Sequence, residues 1–143
     1  MTKQEAFNKV FDWLTRDGAE QCSNEHSRCI YLRGDGNRCA IGALLSEETL
    51  SEMGDSDLGI ADLFENYKVQ LRADIGEELT EDLATAPHLE RPLRDAPTFL
   101  VELQELHDTE GNWWARPEGI KGACIRFAQK HDLSYPGGPN HVD

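Results

Sequence analysis

The sequence predicts a mainly α (α+β) fold: a single helical domain with a small two-stranded β-hairpin near residues 28–41. Three observations carry this. Apolar side chains recur at three- and four-residue spacing in several separate stretches, as they do in helices that bury one face. One run, Arg28-Cys29-Ile30-Tyr31-Leu32-Arg33, is instead β-branched and aromatic, and it leads into a Gly34-Asp35-Gly36-Asn37 turn. The 143 residues suit one compact domain. That domain is expected over residues 1–133, with a flexible tail over 134–143 whose Pro136-Gly137-Gly138-Pro139 run cannot build regular structure.

The elements follow in order. Thr2 and Glu5 fit a capping box, and Ala6, Phe7, Val10, Phe11 and Leu14 form the apolar stripe of a helix over about residues 3–17 that Gly18 closes. The hairpin returns through Arg38-Cys39-Ala40-Ile41, although the run 40–45 also reads as the start of a short buried helix. Ser46 is placed to cap a turn of helix reaching Met53. Ile60, Leu63, Phe64, Tyr67 and Leu71 mark a longer helix that stops at Gly76, and Thr80 is the expected cap of a short helix through Ala84. Three prolines, Pro87, Pro92 and Pro97, punctuate a loop. Phe99, Leu100, Leu103 and Leu106 then define a helix ending near Gly111. A last one runs from about Pro117 to Lys130 with Ile120, Ala123, Cys124 and Phe127 inward.

Charge is distributed unevenly. The chain carries 27 acids against 14 Lys plus Arg, for a net −13 and a pI near 4.7. Residues 1–46 hold six acids and six bases, and residues 111–143 hold three acids and four bases. The stretch 47–110 therefore has 18 acids facing only Lys68, Arg72, Arg91 and Arg94, a net of −14. Such a field repels phosphate and attracts cationic surfaces, so direct nucleic-acid binding is not expected. No run of apolar residues is long enough for a membrane span, and the N-terminus has no signal-like apolar core, so the expected compartment is the cytoplasm.

Several residue groups have chemical potential. Cys22, His26, Cys29 and Cys39 make a Cys3His set able to hold zinc, though not at zinc-ribbon spacing. A turn centred on residues 35 and 36 puts Cys29 and Cys39 on opposite faces of the hairpin, and a one-residue shift brings them to the same face. Free core thiols are the competing reading. His107-Asp108 and His131-Asp132 are His-Asp pairs of the kind that helical metal-dependent hydrolases use, and Asp108 offers the hard oxygen a metal site needs. Phosphate loops and serine nucleophile elbows are absent from the sequence. Trp113-Trp114 is a candidate partner anchor, since adjacent side chains do not share one core face easily; the competing reading is that both clamp the loop between the last two helices.

The strings Cys29-Ile30-Tyr31-Leu32-Arg33-Gly34-Asp35-Gly36-Asn37-Arg38-Cys39-Ala40-Ile41-Gly42 and Leu103-Gln104-Glu105-Leu106-His107-Asp108 resemble motifs of a family of small uncharacterised phage and prophage proteins. Those proteins carry a Cys-x-Tyr segment, a Gly-containing turn, Cys-Ala-Ile/Val-Gly, and later Leu-Gln-x-x-His-Asp with tryptophan soon after. The resemblance spans roughly residues 3–50 and 97–115, and Leu32 separates Tyr31 from Arg33 where the family has Tyr-Arg adjacent. It transfers no catalytic role. It implies a phage setting, hence host cytoplasm, in which small acidic proteins inhibit host or defence proteins.

The expected function is thus a phage-type acidic binding protein that inhibits a protein partner by occupying its basic surface, with no cofactor. The expected contacts are Glu47, Glu48, Glu52, Asp55, Asp57, Glu77, Glu78, Glu81 and Asp82, together with Trp113 and Trp114. One alternative is a metal-dependent hydrolase or zinc-stabilised module using Cys22, His26, Cys29, Cys39, His107 and Asp108. Another is a structural or regulatory oligomer. The balance leans away from an enzyme.

Overall fold

A computed structural model describes residues 1–22, 36–53, 60–84, 99–109, 111–114 and 118–136. The chain is mainly helical. Helix α1 (Lys3–Thr15) begins as its capping box requires: Thr2 Oγ1 accepts the Glu5 N–H at 3.1 Å, and Glu5 Oε1 accepts the Thr2 N–H at 2.7 Å. Ala6, Phe7, Val10, Phe11 and Leu14 are all buried, as the spacing predicts. The helix ends slightly early, with Arg16 extended, and Gly18 takes its positive φ of 75° in the turn beyond.

The β-hairpin is not seen. Residues 28–35, its outgoing arm, lie outside the described residues, and the return arm does not form a strand. Only Arg38 makes a bridge, and Ala40 and Ile41 already turn into a 3₁₀ helix over Gly42–Leu44. The reason is burial. Cys39, Ala40, Ile41, Leu44 and Leu45 are all core residues. A two-stranded ribbon would turn alternate side chains of this unbroken apolar run to its opposite face, whereas a tight helical turn buries nearly all of them.

Helix α2 (Glu47–Met53) is capped by Ser46, whose Oγ accepts the Thr49 N–H at 3.2 Å. Asp74 reinforces this start, its Oδ2 accepting the Ser46 N–H at 3.0 Å and the Thr49 hydroxyl at 2.7 Å. Asp74 belongs to α3 (Ile60–Ile75), which is kinked at Tyr67 (φ −130°, ψ 29°). Gly76, at φ 88°, reverses the chain into α4 (Glu77–Ala84). Thr80 is therefore not a cap. It is buried inside α4, its hydroxyl donating back to the Gly76 carbonyl at 2.7 Å.

Helix α5 (Phe99–Asp108) is capped from a distance, since Asp82 of α4 accepts the N–H groups of Phe99 at 3.4 Å and Leu100 at 3.1 Å. A short α6 (Gly111–Trp114) leads to α7 (Glu118–Lys130). Helices α1, α5 and α7 pack pairwise, and the α3–α4 hairpin joins them through α4 against α5. Phe127 sits at the centre of the triad, with ring centroids 5.3 Å from Phe7 and 5.4 Å from Phe99. Burying aromatic rings of this kind contributes roughly 1.5–3 kcal/mol each. Ser134 and Tyr135, assigned to the tail by their sequence, are docked on α1, with Tyr135 buried. No helix among the described residues is long and apolar enough to cross a membrane.

Candidate functional site

The fold brings the two halves of the sequence motif together in one buried node. Gln104 lies one helical turn before His107 on α5, and both side chains point into the core. Gln104 Oε1 accepts the Ile41 N–H at 2.9 Å, and its Nε2 donates to Asp108 Oδ1 at 2.8 Å. His107, fully buried, accepts the Cys22 N–H on Nε2 at 2.7 Å and places Nδ1 2.8 Å from Asp108 Oδ1. Because Nε2 accepts from a backbone amide, the ring proton lies on Nδ1. The His107–Asp108 contact is then a hydrogen bond of a neutral imidazole, not an ion pair.

The thiols complete the node. Cys22 Sγ donates to the Asn37 carbonyl at 3.3 Å, and Cys39 Sγ accepts the Gly42 N–H at 3.3 Å. Burial pushes the Cys39 thiol well above its ordinary range, and Asp108 and Cys22 add to this. On α7, burial alone pushes Cys124 up to about 12. Trp113 seals the node from outside, its indole N–H donating to the His107 carbonyl at 2.7 Å and its ring meeting the imidazole edge-on at 5.8 Å.

Four of the six residues read as metal ligands, Cys22, Cys39, His107 and Asp108, thus do converge. Two of them are engaged in ways that oppose ligation: the imidazole lone pair of His107 is spent on a backbone amide, and burial pushes the Cys39 thiol up; Asp108 is exposed and uses Oδ1 for Gln104 and His107. Among the described residues, no group of three or more His, Cys, Asp or Glu side chains is arranged to hold a metal ion. His26 and Cys29 lie outside the described residues. Trp113, read as a partner anchor, is half-buried and committed to His107.

Sequence reasoning missed two participants. Gln104 carries no role of its own in the Leu103–Asp108 string, yet its i, i+3 relation to His107 and i, i+4 relation to Asp108 put all three on adjoining faces of α5. Asn37 was read as a turn residue. It is buried, its Oδ1 accepting from Arg16 at 2.7 Å and its amide donating to the Glu20 carbonyl at 3.0 Å. Arg16 itself stacks on the Trp13 ring, 3.4 Å from its centroid, and Trp13 donates to the Arg38 carbonyl at 2.8 Å.

The acidic residues occupy a separate surface. Glu47, Glu48, Glu52, Glu77, Glu78 and Glu81 are exposed. Helix α3 links the acids of α2 to those of α4: Gln70 donates to Glu52 at 3.3 Å, and Arg72, two residues on, bridges Glu77 at 3.2 Å and Glu81 at 3.3 Å. Glu47 pairs with Arg38 at 3.5 Å. Glu48 and Glu78 have no ionic partner among the described residues. Asp82 differs from the rest, since its carboxylate is used in capping α5, and Asp55 and Asp57 lie outside the described residues. No family model, curated protein or solved structure is similar enough to this chain to match it.

Proposed function

We propose that this chain is a binding protein whose acidic α2–α3–α4 surface occupies a basic patch on a protein partner, in the manner of an inhibitor of nucleic-acid-processing proteins. The observation that supports this reading is the separation of roles between core and surface. Cys22, Cys39 and His107 are buried and, with Asp108 at the edge, interlocked in one hydrogen-bonded node, while the side chains left facing water on α2 and α4 are predominantly carboxylates. Glu48 and Glu78 lead the contact, because no cation among the described residues pairs with them. Glu52 supports them, since its partner Gln70 is neutral. Glu77 and Glu81 are partly neutralised by Arg72 and contribute chiefly to the long-range field.

Association driven this way is fast and salt-sensitive. The test is displacement of a labelled oligonucleotide from basic nucleases and other nucleic-acid-binding proteins, measured by fluorescence anisotropy with the native chain as competitor. Displacement that weakens as salt rises from low to physiological strength supports the reading. Displacement that is undetectable across the set, or indifferent to salt, contradicts it.

A further inference from the structure

Among the described residues, one large apolar side chain stands out in water: Val69 on α3, 75 % exposed. An isolated surface valine is ordinary. What gives this one meaning is its place on the helix. Past the kink at Tyr67, α3 turns by about 100° per residue. Gln70 therefore points about 100° to one side of Val69, and Arg72 about 60° to the other. Gln70 donates to Glu52 of α2 at 3.3 Å, and Arg72 bridges Glu77 and Glu81 of α4 at 3.2 and 3.3 Å. Leu71 and Ile75, on the opposite side of α3, lie in the core. Val69 thus stands on the crest of α3, between the acids of α2 and those of α4.

The crest itself is not acidic. Over residues 65–75, Glu65 and Asp74 balance Lys68 and Arg72. Lys68, Val69, Arg72 and Ala73 are all exposed, with Ala73 one turn beyond Val69 on the same face. The surface is therefore two banks of carboxylates separated by a neutral ridge about 10–12 Å wide with an apolar top. A flat cationic patch meets the ridge before it reaches both banks. A groove with cationic rims and an apolar floor meets all three at once, the rims on the carboxylates and the floor on Val69 and Ala73. Proteins that bind single-stranded nucleic acid carry such a groove, because cations along it track the phosphates while aromatic side chains stack the bases.

We infer that the α3 ridge seats in the single-strand groove of a nucleic-acid-binding protein, with Val69 against its base-stacking floor. This rests on the reading of the acidic surface as the partner contact, and it narrows the partner to a class. The banks steer the encounter, and the desolvated crest holds the complex, in the usual division between a polar rim and an apolar centre.

The experiment follows displacement of labelled oligo-dT from single-strand-binding proteins, and of labelled duplex DNA from duplex-binding proteins, by the full native chain. Displacement of oligo-dT is expected. Binding kinetics are then compared for the native chain and Val69→Ala, an exposed substitution that favours helix and so leaves folding intact. The variant is expected to dissociate about fivefold faster while its association rate stays within about twofold, since no charge has changed. Displacement of duplex alone, or an unchanged dissociation rate for Val69→Ala, overturns the inference and leaves the acidic-surface reading standing. Displacement of neither probe overturns both. Dimerisation of the chain by itself that Val69→Ala abolishes assigns the ridge to a second copy, and likewise overturns the inference.

Discussion

His107 Nε2 accepts the backbone N–H of Cys22 at 2.7 Å, and this single bond ties α5 to the segment that follows α1, 85 residues away in sequence. It also removes the imidazole lone pair that a general base or metal ligand would need. Replacing the ring therefore damages the fold before any chemistry. His107→Ala leaves a buried donor without an acceptor and opens a void under Trp113, and is expected to cost about 3 kcal/mol of stability. Denaturant unfolding monitored by tryptophan fluorescence measures it. A cost of no more than about 0.5 kcal/mol would contradict the structural role of the node.

The thiols yield a second prediction. Cys22, Cys39 and Cys124 are buried thiols outside any disulfide, and burial keeps Cys39 and Cys124 protonated near neutral pH. These three are expected to resist alkylation in the native protein and to react after unfolding. Treatment with a chelator should leave the pattern unchanged. Differential alkylation read by peptide mass spectrometry checks this, and chelator-dependent exposure of Cys22 or Cys39 would point instead to a metal.

A third prediction concerns pH. Burial alone would raise the Glu102 carboxyl, but hydrogen bonds and charge from Lys130 and His131, each 2.9 Å from Oε1, outweigh it and hold the group below its usual range. A depressed folded-state value contributes stability above the unfolded pKa of about 4.3 and loses it as pH falls through the lower folded value. Glu102→Gln should therefore destabilise by about 1–2 kcal/mol at pH 7. The gap from the native chain should close in acid. Urea melts across pH 2.5 to 7 are the measurement, and a penalty that persists undiminished at the acid end would contradict the assignment.

Packing supplies a fourth. A β-carbon on Gly119 would lie 2.5 Å from the Asn112 carbonyl oxygen, so α6 rests on α7 only because this position has no side chain. Gly119→Ala is expected to cost about 1–3 kcal/mol despite improving helix propensity. Thermal unfolding decides between them, since a raised midpoint would mean that α6 moves aside freely.

Much of the helical framework was legible in the sequence because it depends on local signals. The capping box at Thr2, the Ser46 cap and the apolar stripes of α1, α5 and α7 all act within a few residues of themselves. The return arm of the expected hairpin forms no strand because strand propensity competes with the need to bury residues 39–45, and only tertiary burial decides such a contest; the outgoing arm lies outside the described residues. Thr80 was misread for a related reason: Gly76 turns the chain so tightly that α4 starts at Glu77, four residues sooner than a Thr80 cap would place it. The node was half legible. His107 and Asp108 stood out by type, but the Cys22 amide that occupies the imidazole is a backbone group and leaves no mark in the sequence. Asp82 shows the same limit, because its role as the cap of α5 joins residues separated by the proline-rich stretch.

The acidic surface is where the account is most directly tested. Glu48, Glu52 and Glu78 changed together to Gln preserve the helices and remove only charge. The measurement is the salt dependence of association between this variant, the native chain and a basic protein that the native chain displaces from nucleic acid. The variant is expected to associate about tenfold more slowly at low salt and to depend on salt less steeply, with dissociation changed less. Equal association rates and equal salt slopes for the two chains would contradict it, and would locate the function elsewhere on the molecule.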